Sequence, residues 1–282
     1  MKMFFVFSII FWILSWLLNI RISTIKMNGL EKIIAPFLFG LSVILIWEAS
    51  IHSFKISPVI LPSPSMVLVR IITSWEILWI DFVQTAVKGA LTGYIIGCMS
   101  AFCLALFVDQ FKFLERGLLP IGNFMSALPI VGTAPILVMW FGFDWHSKAA
   151  VVTTMVFFPM LINTIQGLQL SDRIHRDLMY TYNANSLQTL TKLRLATAMP
   201  FIFNGLKICS TLALIGAIVA EFFGSPIKGM GFRISTEVGR FALDMVWAEI
   251  TIAAITGSLF YGGVVLLEKS ITFWHPSQRG KI

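Results

Sequence analysis

Long apolar stretches separated by short polar ones dominate this chain. About 20 apolar residues cross the hydrocarbon core of a bilayer as a helix, and runs of this kind, bounded by charges or by proline and glycine, predict membrane spans. The predicted spans are roughly Met3–Leu18, Ile33–Ile51, Phe82–Val108, Leu118–Trp140, Ala149–Gln166, Phe203–Phe223 and Trp247–Leu267. The pattern therefore predicts an all-α polytopic membrane protein.

A polar interruption from Gly167 to Pro200 separates two of these apolar runs. Its charged and amide side chains are costly to place in hydrocarbon, so the segment must lie outside the bilayer. It is the part of the chain where a membrane protein is expected to meet a soluble partner.

Two short helices joined by a turn are predicted within this interruption. Ser171–Asp172 can cap a first helix that runs towards Tyr182. The turn is Asn183–Ser186, in which asparagine tolerates a left-handed backbone and Ser186 can cap the next helix. Helical spacing of leucines predicts that second helix over Leu187–Leu195.

Prolines mark further boundaries. Pro200 is expected to open the next span, because proline suits the first turn of a helix. Leu61–Val67, which reads L-P-S-P-S-M-V, is expected to break any helix, since proline lacks an N–H donor and biases the preceding residue towards extended geometry. Met66–Trp75 then predicts an amphipathic helix at the outer surface, with Trp75 and Trp79 as interfacial anchors.

The composition agrees with this pattern. The chain has 282 residues, of which 57% are hydrophobic and 12% charged, too apolar for an ordinary soluble domain. The net charge of +7 is explained by the gathering of lysine and arginine in cytoplasmic loops, so no nucleic-acid partner is expected. The three cysteines, Cys98, Cys103 and Cys209, lie in apolar runs and are expected to be small buried hydrophobes.

The basic residues also predict an orientation. The main groups share one side if Ile33–Ile51 crosses outward. These groups are Arg21, Lys26 and Lys32; Lys112 and Arg116; Arg173, Arg176, Lys192, Arg194 and Lys207; and Lys269, Arg279 and Lys281. The opposite side keeps a weaker set, Lys55, Arg70, Lys148, Lys228, Arg233 and Arg240. The richer side is predicted to be cytoplasmic, which places the C-terminus inside.

The first apolar run, Met3–Leu18, has three interpretations. It is an extra helix whose N-terminus lies outside, a cleaved signal peptide, or a stretch upstream of the true start. The signal peptide is disfavoured because no small-x-small cleavage site follows, whereas Met27 would give a short lead into the next helix. The predicted organisation is a segment 1–26, a single transmembrane domain 27–282, and a projecting loop 167–202.

Common catalytic and nucleotide-binding motifs are missing from the sequence. There is no G-x-x-x-x-G-K-[ST] to cradle ATP, no H-E-x-x-H, no paired-cysteine metal motif and no G-x-S-x-G. The four histidines are scattered at span edges: His52, His146, His175 and His275. The chain is therefore expected to be neither an enzyme nor a metal or cofactor protein.

The projecting loop resembles the ATPase-coupling loop of bacterial ABC importer permeases, E-A-A-x3-G-x9-I-x-L-P. The matching positions are Asp177, Leu178, Met179, Asn183, Leu193, Leu195 and Ala196. The spacing is kept, but the acid is shortened at Asp177, the two alanines are larger, glycine is replaced by Asn183 and proline by Ala196. Asn183 is compatible with the pattern, because asparagine is the best substitute for glycine in a left-handed turn.

The resemblance extends over roughly Leu61 to Arg233. In this region the chain is similar to permeases of nitrate, sulfonate, taurine and pyrimidine-precursor importers, in the same order and spacing. The similar stretches are Leu61–Ser65, Thr85–Gly97, Ala127–Ile130, Trp140–Gly142, Ser147–Lys148, Phe157–Pro159, Asn163–Thr164, Gly167–Leu168, Ile218–Phe222 and Gly229–Gly231. Met3–Leu18 has no counterpart in the pattern.

This resemblance implies the permease subunit of an ABC importer, with a type I-like fold of six core helices. One of the three interpretations of Met3–Leu18 adds an extra N-terminal helix to these six. Two permease copies, often identical, would form one pathway in the lipid membrane, two ATPase subunits would dock on the coupling loops, and a binding protein would deliver substrate. ATP and Mg would then belong to the ATPase. The candidate coupling residues are Asp177, Leu178, Met179, Asn183, Ala184, Leu187, Leu193, Leu195 and Pro200.

The segment Met125–Trp140 is the best candidate for lining the translocation pathway. Its prolines free backbone carbonyls, which is tolerated only against protein or water. The candidate pathway residues are Met125, Pro129, Pro135, Met139, Trp140 and Glu221. A kinked packing helix with lipid-facing side chains is the alternative for this segment.

Three ionisable residues, Glu48, Lys88 and Glu221, lie within or at the ends of spans. Each either contacts the pathway or its gate, or has a structural role, in which it pairs between helices or snorkels to the interface. The position of Glu221, one turn from the end of its span, favours a structural role.

Two other function classes remain as alternatives. A stand-alone secondary transporter is disfavoured because the chain shows no internal repeat and few midplane charges, and a membrane enzyme because catalytic motifs are missing. The family implies a small solute such as nitrate, a sulfonate, or a pyrimidine- or riboflavin-type vitamin precursor. The apolar segment 127–143 is slightly more similar to the vitamin-precursor members.

Overall fold

The computed structural model describes residues 2–24 and 31–275, and within these ranges the elements are all helical. In chain order the helices are α1 (Lys2–Thr24), α2 (Glu31–Phe54), α3 (Pro64–Thr73), α4 (Trp75–Phe82), α5 (Thr92–Val108), α6 (Lys112–Ser126), α7 (Ile130–Phe141), α8 (Trp145–Gln169), α9 (Arg173–Thr181), α10 (Ser186–Thr189), α11 (Leu195–Phe223), α12 (Met230–Gly239) and α13 (Leu243–Ile271). Two π-helical segments, Val83–Leu91 and Leu190–Arg194, join α4 to α5 and α10 to α11.

Five continuous helical stretches in the described part of the chain are long and apolar enough to cross a membrane. They are Ile34–Phe54, Trp75–Val108, Trp145–Gln169, Ser186–Phe223 and Leu243–Ile271. The bent pair α6–α7 makes a sixth if it counts as one span, and Phe5–Arg21 forms a shorter apolar helix. The prediction of an all-α polytopic membrane protein is therefore confirmed.

The predicted span Leu118–Trp140 is not one continuous helix. Two helices, α6 and α7, meet there at 97°. Pro129 lies at the break, with extended backbone (φ −69°, ψ 116°) at the N-terminal cap of α7. Because a proline has no N–H and pushes the residue before it out of helical geometry, a helix cannot run through this position undisturbed.

Two other proline boundaries also differ from expectation. Pro200 does not open a span but lies inside α11, which continues the helix that begins at Ser186. A proline inside a membrane helix deletes one backbone hydrogen bond, a loss that packed membrane helices tolerate. In the segment Leu61–Val67, Pro64 begins α3, and the hydroxyl of Ser63 caps it by accepting a hydrogen bond from the N–H of Met66.

The chain forms two compact units, of which the first contains residues 1–77 and 234–250. In this unit the Glu48 carboxylate accepts hydrogen bonds from the N–H and the hydroxyl of Ser65, at 3.0 and 2.7 Å, and so attaches α3 to α2. Trp47 packs against Trp247 with ring centroids 4.8 Å apart. The predicted domain bounds at 26 and 27 fall outside the described residues, as do Met27, Lys26, Arg279 and Lys281, and stay a prediction.

The second unit contains residues 78–233 and 251–282, and α8 lies at its centre between α5 and α11. Small residues of α5 face α8 at four-residue spacing: Gly93, Gly97, Ala101 and Ala105, all buried. A Cβ atom at Gly93 would lie 2.6 Å from the carbonyl oxygen of Ala149. Such stripes of small residues let membrane helices pack backbone to backbone.

The same stripe explains why the two cysteines of α5, Cys98 and Cys103, differ in exposure. Cys98 and Cys209 are buried as expected, but Cys103 is exposed. Cys103 follows Ala101 by two residues, about 200° around the helix, and therefore lies on the face of α5 opposite the packed stripe.

Candidate functional site

The projecting loop begins with a capped helix. The Asp172 carboxylate accepts a hydrogen bond from the N–H of Ile174 at 3.3 Å and caps α9, which confirms the predicted start. The helix ends in a Schellman motif, in which the N–H groups of Asn183 and Ala184 donate to the carbonyls of Tyr180 and Met179, at 2.9 and 3.0 Å. Asn183 has φ +52°, so the predicted left-handed turn is confirmed.

The second helix of the loop is capped one residue earlier than expected. Asn185, rather than Ser186, accepts from the N–H of Gln188 at 2.8 Å. The Gln188 side chain in turn accepts from the N–H of Asn185 at 2.9 Å, which completes a capping box. Asn185 holds the extended backbone (φ −75°, ψ 168°) that a capping residue needs.

The first loop helix, α9, has two chemically different faces and buries none of its residues. Ile174 and Leu178, four residues apart, form one apolar edge, and 73% and 51% of their surfaces are exposed. Asp177 and Arg173 lie on the other face and approach each other to 4.0 Å. An apolar edge that the chain leaves uncovered is a candidate surface for a partner.

The predicted coupling residues divide into an exposed and a half-buried group. The exposed residues are Asp177, Leu178, Asn183 and Leu187; the half-buried ones are Met179, Ala184, Leu193, Leu195 and Pro200. Leu195 packs against the core of the second unit.

Sequence reasoning missed the residue that attaches this loop to the rest of the unit. The Arg194 guanidinium donates two parallel hydrogen bonds to the Asp109 carboxylate, each 2.6 Å long. It also donates to the carbonyl of Leu168, from Nε at 3.3 Å and from Nη2 at 3.1 Å. Arginine in the loop was noted only as part of the charge asymmetry, because a single sequence does not show which carboxylate lies opposite.

The candidate pathway residues do not form one site. A cavity of about 130 Å³ lies at the break between α6 and α7, lined there by Met125 and Thr133 and closed by Thr154 and Met155 of α8 and Leu212 of α11. Pro129 is at the break itself and Pro135 is half-buried inside α7. Met139 and Trp140 are 81% and 71% exposed, and Trp140 lines a separate cavity of about 540 Å³ against α8.

Glu221 is buried in a polar cluster rather than at a cavity. Its carboxylate accepts from the hydroxyl of Thr85 at 2.9 Å and from the N–H of Gly231 at 2.8 Å. The N–H of Gly229 donates to Asp81 at 2.6 Å, and Arg233 donates to the same carboxylate at 2.8 Å. The cluster thus satisfies the N–H groups that begin α12, where carboxylates are favourable.

Lys148 extends this cluster to the corner between α7 and α8. Its buried ammonium donates to the carbonyl of Phe143 at 2.6 Å and to that of Gly224. Asp144 caps α8, and the hydrogen bond that it accepts from the N–H of Trp145 lowers the pKa of the Asp144 carboxyl. Lys88, the remaining ionisable residue noted in the spans, has an exposed side chain.

Long apolar helices and a bent pair beside a cavity are typical of a transmembrane subunit of a transport system. The family comparison agrees, because the model of the binding-protein-dependent transport system inner membrane component matches residues 93–273, well over half of the chain. The chain belongs to this family, and it is a permease subunit of ABC transport.

Curated relatives cover nearly the whole chain. The formylaminopyrimidine transport permease of Halalkalibacterium halodurans is 30% identical over 86% of this chain and 96% of its own length. The riboflavin transport system permease of Chloroflexus aurantiacus is 29% identical over 89% and 96%. The taurine transport system permease of Escherichia coli is 26% identical over 78% and 82%.

Proposed function

We propose that this chain pairs with a second copy to form the pathway of an importer in the bacterial cytoplasmic membrane, and that an ATPase subunit binds the loop 167–202 of each copy. The observation that carries the proposal is the apolar edge of α9, Ile174 and Leu178, which lies on a helix with no buried residue. An amphipathic helix of this kind binds a hydrophobic groove through residues at i and i+4. ATP and Mg belong to that partner, because this chain has no phosphate-binding motif.

The two ends of the second unit support this arrangement. Asp109, Arg194 and the carbonyl of Leu168 meet at the end that carries the loop. Asp81 and Glu221 meet at the end of α11 that leads into α12. The loop end is the cytoplasmic one in this proposal, and the Glu221 end faces the substrate-binding protein.

The proposed substrate is an aromatic heterocycle of the pyrimidine-precursor type. The relative that is named for formylaminopyrimidine transport aligns over nearly its full length. The cavity at the α6–α7 break is mostly apolar and has a few hydroxyl groups, from Ser126, Thr133 and Thr154. Apolar walls with a small number of placed polar groups suit a flat heterocycle better than a sulfonate, which would need several donors.

Uptake in cells tests the substrate class. Deletion of this chain should reduce the uptake of labelled formylaminopyrimidine by about tenfold or more, since the uncatalysed entry of a polar heterocycle through lipid is slow. Uptake of labelled taurine by the same cells is the control and should not change. Undiminished pyrimidine uptake together with lost taurine uptake would assign the chain to the sulfonate-type members instead.

Substitutions at Asn183 test the turn between the loop helices. Asn183→Gly should keep transport at the wild-type level, because glycine adopts φ +52° without strain. Asn183→Val should cost about 1–2 kcal/mol at this left-handed position and lower transport several-fold by misplacing α9. Both variants are compared for ATP-driven uptake at equal membrane expression, and equal transport by the two would show that the turn geometry does not matter.

A further inference from the structure

The second half of the loop is attached to its unit by the continuous helix Ser186–Phe223 and by Leu190 and Leu195, which pack against the core. The polar contacts between the loop and the rest of the unit are made by Arg194. Within the described residues, the side-chain hydrogen bonds of residues 172–193 stay inside the loop and its own helical continuation. The hydrogen bonds of the Arg194 side chain, in contrast, connect the loop to residues outside these two segments, namely the Asp109 carboxylate and the carbonyl of Leu168. The first loop helix contributes no buried residue that would attach it by packing.

Arg194 connects the ends of two helices, α5 and α8, to the returning arm of the loop. Asp109 follows the last residue of α5, Leu168 lies in the last turn of α8, and Arg194 is where the chain returns from the loop. The carbonyl of Leu168 is one of the four that a helix end leaves without a helical partner. The guanidinium fork satisfies this carbonyl and the carboxylate at the same time, which an ammonium group cannot do with the same geometry.

The backbone before Arg194 is shaped to place this side chain. Residues 190–194 are π-helical, and the N–H of Leu195 donates to the carbonyl of Leu190. A π-helical turn holds one more residue than an α-helical turn, and such turns recur at functional positions because they redirect a side chain. Arg194 and Asp109 are 20% and 5% exposed, so the pair is largely shielded from screening by salt.

We infer that Arg194 is a positioning residue that makes the loop move as one body with the inner ends of α5 and α8. The inference rests on the proposed function, in which the ATPase binds α9. A displacement of α9 by the ATPase is then transmitted directly to α5 and α8, instead of being absorbed by bending at residues 170–172, between α8 and α9. Asp109 and the Leu168 carbonyl are the two attachment points.

Distance measurements between spin labels test this role. Labels are placed on Gln110→Cys, next to the end of α5, and Tyr180→Cys on α9, with the native cysteines replaced by alanine. In the wild-type background we expect a narrow distance distribution that does not shift when the complex is trapped with ATP and vanadate. In Arg194→Lys, which keeps the charge but loses the fork, the distribution should broaden about twofold and shift on trapping.

A second ion pair of the same unit provides the matched control. Lys207 and Glu268 lie 2.9 Å apart and are 20% and 11% exposed, but neither belongs to the loop. Lys207→Gln should therefore leave the distance distribution at its wild-type width and position. Broadening by Lys207→Gln equal to that by Arg194→Lys would overturn the inference, as would an unchanged distribution in Arg194→Lys.

Different experimental results would contradict the proposed function and the proposed role of Arg194. If no ATPase is recovered with the wild-type chain, the proposed function is wrong, and with it the transmission of ATPase movement. The width of the distribution in the isolated chain still tests whether Arg194 fixes the loop. If the ATPase is recovered and the wild-type distance shifts on trapping, the loop moves alone and the inference is wrong while the proposed function stands.

Discussion

Leu178→Asp is expected to abolish the recovery of an ATPase subunit with this chain. Leu178 is 51% exposed and lies on the apolar edge of α9. Because about half of Leu178 is already covered, burial of the rest in a partner contributes about 0.8–1.5 kcal/mol. A carboxylate placed in the same groove adds a desolvation penalty of about 1–3 kcal/mol. Since 1.4 kcal/mol corresponds to a tenfold change in affinity, we expect a loss of about 100-fold. Affinity purification from mild detergent, followed by quantification of the ATPase, measures it.

The control for this substitution is on the same helix. Tyr180 is 84% exposed and follows Leu178 by two residues, about 200° around the helix, so it faces away from the apolar edge. Tyr180→Asp introduces the same carboxylate into the same short helix and should keep the ATPase bound. Equal loss in the two variants would mean that α9 is merely destabilised, and undiminished binding in Leu178→Asp would place the docking surface elsewhere.

The loop was the part of the site that sequence could predict well, because its signals are local. Asp172 caps the helix that follows it, and Asn183 takes the left-handed turn, as residue preferences alone indicate. The second loop helix is capped by Asn185 and not by Ser186, one residue earlier than expected, and both residue types can cap a helix. Such a choice depends on which residue holds the extended backbone, and the residue types do not decide it.

The break between α6 and α7 shows where local signals were weighed wrongly. The hydrophobic run Leu118–Trp140 has the length and composition of a single span, and Pro129 was expected to free carbonyls within it or to kink it. In the structure the chain turns by 97° there. Hydropathy measures how well a segment tolerates lipid, and it carries no information about the direction in which a helix continues after a proline.

The polar contacts between residues far apart in the chain could not be predicted from the sequence. Glu221 was considered as a pathway residue, and its partner Thr85 lies 136 positions earlier in the chain. Arg194 and Asp109 are 85 positions apart. Neither periodicity nor composition reveals such pairs, because each residue has several opposite charges or hydroxyl groups that it could meet.

Gly231→Ala is expected to prevent stable folding of the second unit. The N–H of Gly231 donates to the buried Glu221 carboxylate at 2.8 Å. A Cβ atom at this position would lie 2.2 Å from the backbone oxygen of Ile218 and 2.9 Å from the Cβ of Glu221. Relief requires a shift of α11 or α12, so the cost is that of overpacking, about 1–3 kcal/mol, plus that of a strained hydrogen bond to a buried carboxyl group, about 1–3 kcal/mol.

The same substitution at an open position separates this clash from a general effect of alanine. Gly117 in α6 has no atom within 4 Å of the Cβ position, and Gly117→Ala should stabilise its helix slightly, by up to about 1 kcal/mol. Thermal unfolding in detergent and the yield of monodisperse protein compare the two variants. The sum expected for Gly231→Ala, about 2–6 kcal/mol, is a large part of the net stability of a typical domain. A melting temperature equal to that of Gly117→Ala would therefore show that the cluster around Glu221 rearranges without a loss of stability.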